Sequence, residues 1–150
     1  PTLVQIRTSA ENAAPETASR LLDEMIHRLV RNLTMERLSD DAAGFILREQ
    51  HQPTAAFDIL FDRLMLPIQQ TYQLLVSRIL GDAAPGERQL ILTTHALIGQ
   101  ILAFRSARTT VLRRLGQSEF SDQDAHEIAH TISRLTLNAL HPEQTRNTPS

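Results

Sequence analysis

Apolar residues recur at three- and four-residue spacing along most of the chain, and helix start and stop signals bound the segments that carry this period. From Pro15 to Leu33 the stripe is Leu22, Met25, Ile26, Leu29, Val30 and Leu33, which is the period of an amphipathic helix. Pro15 suits a first-turn position, and Glu16 suits the positive end of the helix dipole. "SDDAAGFILREQH" opens on the N-cap candidates Ser39 and Asp40 and predicts a short helix that Pro53 ends. Thr54 is the next N-cap candidate. Phe57, Phe61, Leu64, Ile68, Leu75 and Ile79 then share one face of a long helix reaching Leu80. Pro67 lies in its middle, removes a backbone hydrogen bond and predicts a kink. Gly81 reads as its C-cap, and "DAAPG" as a loop.

The segment "ERQLILTTHALIGQILAFR", Glu87 to Arg105, is apolar nearly all round. Such a helix is buried on more than one side or keeps a second face for a partner. "TTVLRRLG" predicts a short helix closed by Gly116. Ser121 or Asp122 then caps a last helix to about Leu140, whose core stripe reads as Ala125, Ile128, Ile132, Leu135 and Ala139. Its other face carries Ala129, His130, Ser133, Leu137 and Leu140 and is small and semi-apolar. Residues 1–14 show little periodicity and read as a linker or a remnant of an upstream region, with Leu3, Val4 and Ile6 offering a short apolar contact. Residues 15–140 form one all-α domain, a bundle of about six helices, and 141–150 a polar tail.

Composition narrows the class. The chain is 150 residues long with 41% hydrophobic residues, enough for a core of its own. It has no Cys, which excludes disulfides, thiol nucleophiles and thiolate metal sites. Its net charge is −2, with Arg residues scattered among acids, so no nucleic-acid footprint is visible. No apolar run is long enough to span a bilayer and no signal peptide opens the chain, so no membrane partner and a cytoplasmic location are expected. The chain opens on Pro1 without an initiator Met, which suggests a fragment of a longer polypeptide.

Candidate chemistry is sparse. "HEIAH", His126 to His130, has the H-E-x-x-H form in which two His bind zinc and the Glu activates water. Only Glu143 follows as an acidic third ligand, and the segment reads equally well as a packed helix. Glu24-x-x-His27 has the di-iron spacing but lacks the second copy that such a site requires. No phosphate loop or nucleophile elbow is present. The expectation is therefore a protein with no catalytic residues, no metal and no cofactor. Arg48 and Glu49 read as surface or helix–helix ion pairs. His95 and Gln100 are polar groups in an apolar helix; facing an internal cavity beside the Pro67 kink, they would orient a ligand together with Phe61, Met65 and Tyr72.

The order of parts resembles the C-terminal domain of TetR-family transcriptional regulators, with the CecR-like subfamily as the nearest likeness. The residues that carry it are Arg48-Glu49 before Pro53, Ala56-Phe57, Pro67, Leu80-Gly81, Gly99-Gln100 and Ala103-Phe104-Arg105, and the likeness covers about residues 15 to 140. The resemblance implies a homodimer built on the last two major helices, with a pocket for a small apolar effector in each subunit. Operator DNA would be bound only through an N-terminal helix-turn-helix that is missing before Pro15. The two faces of the last helices point to the same pairing, an isologous four-helix interface. Leu97, Ile101, Ala129, Ser133, Leu137 and Leu140 are the expected contacts. The leading expectation is an effector-binding and dimerisation domain of a TetR-like repressor. The alternatives are a small zinc-dependent hydrolase using His126, Glu127 and His130, or a ligand-free helical dimerisation module.

Overall fold

The computed structural model describes residues 2–35 and 39–141, with the backbone alone for Asp40. Its first element is one that periodicity did not predict. Thr2 and Gln5 close a reciprocal capping box: the Gln5 N–H donates to the Thr2 hydroxyl oxygen at 3.2 Å, and the Thr2 N–H to Gln5 Oε1 at 2.6 Å. They start helix α1, Leu3–Ala10. Ile6 and Ala10, one turn apart, are buried in the core as α1 packs on the helices that follow. Residues 3–10 are thus a packed helix, where the sequence promised at most a short apolar contact.

The remaining helices are α2 Pro15–Thr34, α3 Asp40–His51, α4 Ala55–Leu60, α5 Leu66–Leu80, α6 Glu87–Ser106, α7 Arg108–Leu115 and α8 Asp122–Leu140. A π-helical turn, Phe61–Met65, joins α4 to α5 in one rod. Counting that rod once, the described residues hold seven helices and no strand, so the fold is all-α. The helix beyond the expected six is α1.

The predicted stripe of α2 is the spine of the bundle. Leu22, Ile26 and Val30 are almost wholly buried, with Tyr72, Leu75 and Val76 of α5, Leu97 and Ile101 of α6 and Ala129 and Ile132 of α8 around them. Burying each large side chain contributes about 1.5–3 kcal/mol before entropy is counted. α8 runs antiparallel to α2, and polar contacts every four residues of α2 flank their seam. Ser19 Oγ lies 3.2 Å from His141 Nε2, Asp23 accepts from the Ser133 hydroxyl, His27 meets the His126 ring edge-on at 5.5 Å, and Arg31 pairs with Asp122 at 3.0 Å.

This packing turns the inward face of α8 away from the expected stripe: Ala125 and Ile132 stay inside, while Ala129, Ser133 and Leu140 of the other expected face join them in place of Leu135 and Ala139. Ala125, Ala129, Ile132, Ser133, Thr136 and Leu140 turn inward, whereas Leu135 is 51% exposed and Ala139 is exposed. The face toward α2 is rich in small side chains, which lets the two backbones approach, and Asp23 satisfies the hydroxyl of Ser133.

The α3–α4 corner is built by Glu49. Its carboxylate is 4% exposed and accepts from the Thr54 N–H at 2.9 Å and from the Thr54 hydroxyl at 2.9 and 3.1 Å. Thr54 Oγ1 in turn caps α4 by accepting from the Ala56 N–H at 3.2 Å. Glu49 is therefore a buried corner latch and not the surface ion pair that its charge suggested, while Arg48 lies over the Phe45 ring at 5.9 Å. At Pro67, which carries no N–H for the carbonyl of Arg63, the distortion takes the form of the π turn just upstream: the Leu66 N–H reaches back five residues to Phe61.

Candidate functional site

Of the five residues expected to meet a ligand, the structure sets one, Tyr72, in a cleft beside the π turn, while Gln100 borders a separate hollow between α6 and α8. Tyr72, on α5, presents essentially none of its surface to solvent. Phe61 is half-buried and stacks on Phe57 at 6.0 Å, and the Met65 sulfur, in the same π turn, accepts from Gln50 Nε2 at 3.3 Å. His95 and Gln100 are exposed on the outer side of α6, facing away from the core, whereas Thr94 is the polar residue of that helix that turns inward. The period of α6 alone could not reveal this, because apolar residues occupy both of its sides.

The cleft has a volume of about 270 Å³ and opens to solvent between α1, α2 and the rod. Leu3 and Ile6 come from α1, and Met25 and Leu29 from one face of α2. Leu64, Ile68 and Tyr72 sit at four-residue spacing along the π turn and α5. Two cations border these apolar walls: Arg28, one turn from Met25 and next to Leu29, and Arg63 beside Leu64. Both are exposed, and neither has an ion pair or hydrogen bond among the described residues. No acidic residue lines the cleft.

The Tyr72 hydroxyl is buried and has no hydrogen-bond partner among the described residues. Burial pushes its pKa upward, so at neutral pH it is a neutral donor without an acceptor. Buried hydroxyls are normally satisfied, and one that is not calls for an explanation. Sequence reasoning did not find Arg28 and Arg63. Their one signal was a charge at the edge of an apolar stripe, and the wall that completes the cleft, α1, carried no readable period.

A second hollow, of about 450 Å³, runs between α6 and α8. Leu92, Ala96 and Gln100 border it from α6, Leu135 and Ala139 from α8, and Leu97 and Leu140 also line it. Leu92 is 49% and Leu135 51% exposed. Of the residues expected at a dimer interface, Leu97, Ile101, Ala129 and Ser133 are buried within the chain, Leu140 is nearly so, and Leu137 is half-buried. The exposed apolar face lies on the same two helices, turned toward Leu92, Ala96, Leu135 and Ala139.

His126, Glu127 and His130 are all exposed on α8. Glu127 accepts from Gln123 Nε2 at 2.9 Å, and the His126 ring is engaged with His27. Glu143 lies outside the described residues. Among the described residues no group of three or more His, Asp or Glu is placed to hold a metal ion. No single helix among the described residues is long and apolar enough to cross a membrane.

The family model described as "HTH-type transcriptional dual regulator CecR, C-terminal domain" matches residues 18–140. The chain is also similar to the HTH-type transcriptional dual regulator CecR of Shigella flexneri, with 34% identity over 137 residues that cover 86% of this chain. It spans 61% of that relative's length. The helices from α2 to α8, apart from the first residues of α2, fall in the matched region, and the likeness to a TetR-type C-terminal domain read from the sequence is borne out. This chain belongs to the family of CecR C-terminal domains of HTH-type transcriptional regulators.

Proposed function

We propose that the chain is the effector-binding and homodimerisation domain of a TetR-like cytoplasmic repressor, in which a small molecule bound in the cleft relieves DNA binding by an N-terminal helix-turn-helix outside this sequence. The observation that carries the effector half is the apolar cleft lined by Tyr72, whose buried hydroxyl lacks an acceptor. A ligand oxygen there would complete it, and pockets of this kind are apolar with few polar groups. The cleft touches α1, the element nearest the upstream region, so its occupancy can bias how that region is held. As allostery this requires a ligand that binds the DNA-competent and DNA-released dimers with different affinity.

The dimer half rests on the exposed face formed by Leu92 and Ala96 of α6 with Leu135 and Ala139 of α8. Two adjacent helices with contiguous exposed leucines and small residues suit a twofold four-helix contact. Sedimentation equilibrium of the chain tests this half: the wild type should be a dimer at micromolar concentration, and Leu92→Glu with Leu135→Glu should give a folded monomer. A wild-type monomer would refute it. For the repressor half, the longer polypeptide should bind operator DNA and release it when a cleft ligand is added. Ligand binding with no change in DNA affinity would defeat that half.

A further inference from the structure

Given the reading of the cleft as an effector site, its chemistry narrows the effector class. Two arginines border it, no carboxylate does, and both guanidiniums lack partners among the described residues. They come from different elements, Arg28 from α2 and Arg63 from the π turn, and line the same apolar hollow. Long cationic side chains often lie over apolar surface with the head in water, and that alone would account for either residue. It does not account for two unpaired cations on one cleft that is also lined by Tyr72, whose buried hydroxyl has no acceptor among the described residues.

We infer that the effector is an amphipathic carboxylate: an apolar acyl or aryl body against Leu29, Leu64 and Ile68, its carboxylate held by Arg28 and Arg63, with an oxygen accepting from the Tyr72 hydroxyl. Guanidinium matches a carboxylate in shape as well as charge, so the anion is discriminated by geometry and not by long-range field alone. Because both arginines are exposed, the charge contribution is screened and falls as salt rises. Tyr72 is closed from solvent, so its contact forms as the wall in front of it yields to the ligand.

Isothermal titration calorimetry of the intact chain with octanoate and phenylbutyrate, each against its neutral alcohol, octanol or phenylbutanol, tests the inference. At least one carboxylate should bind about tenfold tighter than its alcohol, the scale of a charge-assisted hydrogen bond. The preference should shrink with added salt. Arg28→Gln combined with Arg63→Gln, at exposed positions that leave the melting curve unchanged, should bring carboxylate and alcohol to equal affinity. Which carboxylate binds separates an acyl from an aryl source. Alcohols binding as tightly as carboxylates, or an unchanged preference in the double variant, overturns the ligand class but leaves the effector site standing. Failure of all four probes overturns the class and counts against the effector reading itself.

Discussion

Tyr72→Phe separates a residue retained for packing from one retained for a ligand, because the two roles predict opposite signs. The ring fills the same space in both side chains, so the substitution opens no cavity and removes one oxygen. That oxygen is buried without a partner. Leaving such a group unsatisfied costs about 1–3 kcal/mol, so removing it should stabilise the unliganded chain by about 1 kcal/mol. In a domain of this length that raises Tm by roughly 2–4 °C. Far-ultraviolet circular dichroism melts of both proteins at neutral pH measure it. The same variant should weaken a ligand that accepts from the hydroxyl, the trade expected where a binding site is held at the expense of stability.

Tyr72 is the only tyrosine and the chain has no tryptophan, so phenolate absorbance reports this one group. Burial raises its folded-state pKa. Its contribution is therefore complete below the unfolded value of about 10 and is lost as pH climbs beyond it, with the phenolate signal appearing only as the chain unfolds. Phenylalanine should remove that part of the alkaline loss. A Tyr72→Phe protein less stable than wild type would show that the hydroxyl is already satisfied, and a phenolate signal that titrates near pH 10 in the folded chain would show that it reaches solvent; either result refutes the reasoning.

Glu49→Ala removes three contacts to Thr54 and should cost about 2 kcal/mol, with hydrogen exchange accelerated in α3 and the first turn of α4, whereas Glu49→Gln keeps one acceptor oxygen and should cost less. Equal losses in the two variants would argue that volume and not hydrogen bonding holds the corner. The Asp124 carboxyl lies below its usual range because the Ser121 hydroxyl donates to it at 2.6 Å, the Ser121 N–H at 2.8 Å and, more weakly, the Gln117 amide at 3.3 Å. A depressed carboxylate contributes stability above its unfolded value of about 3.9 and loses it as pH falls through the folded one. Acid melts of Asp124→Asn should therefore converge with wild type below about pH 4, and a gap that stays constant to lower pH would contradict the capping role.

The candidate site was less legible than the helices because a cleft is made by several elements at once. Tyr72 was legible because it lies beside the Pro67 kink, where a cavity was expected. Arg28 and Arg63 were not, since nothing local distinguishes a cation beside a cleft from one on any solvated face. His95 and Gln100 drew attention as polar interruptions of an apolar helix, and the structure shows them interrupting the outer face. That result follows from α6 having apolar residues on both sides, so its own period carries no preference for which side turns inward.

Local chemistry therefore determined much of this protein from the sequence alone. Proline, glycine and the hydroxyl caps at Ser39, Thr54 and Ser121 placed helix boundaries, and the α2 stripe named the spine of the core, because both depend on residues within a turn of each other. The family likeness rested on the same landmarks. Only the tertiary structure decided which face of α8 meets α2, that residues 3–10 complete the bundle, and that Glu49 is buried. Each depends on what a distant element presents: the close approach of α2 favours the small side chains of α8, the α5 surface gives Ile6 and Ala10 somewhere to go, and Thr54 offers two donors to one carboxylate. Period shows that a helix has an apolar face; the partner helix decides which face is used.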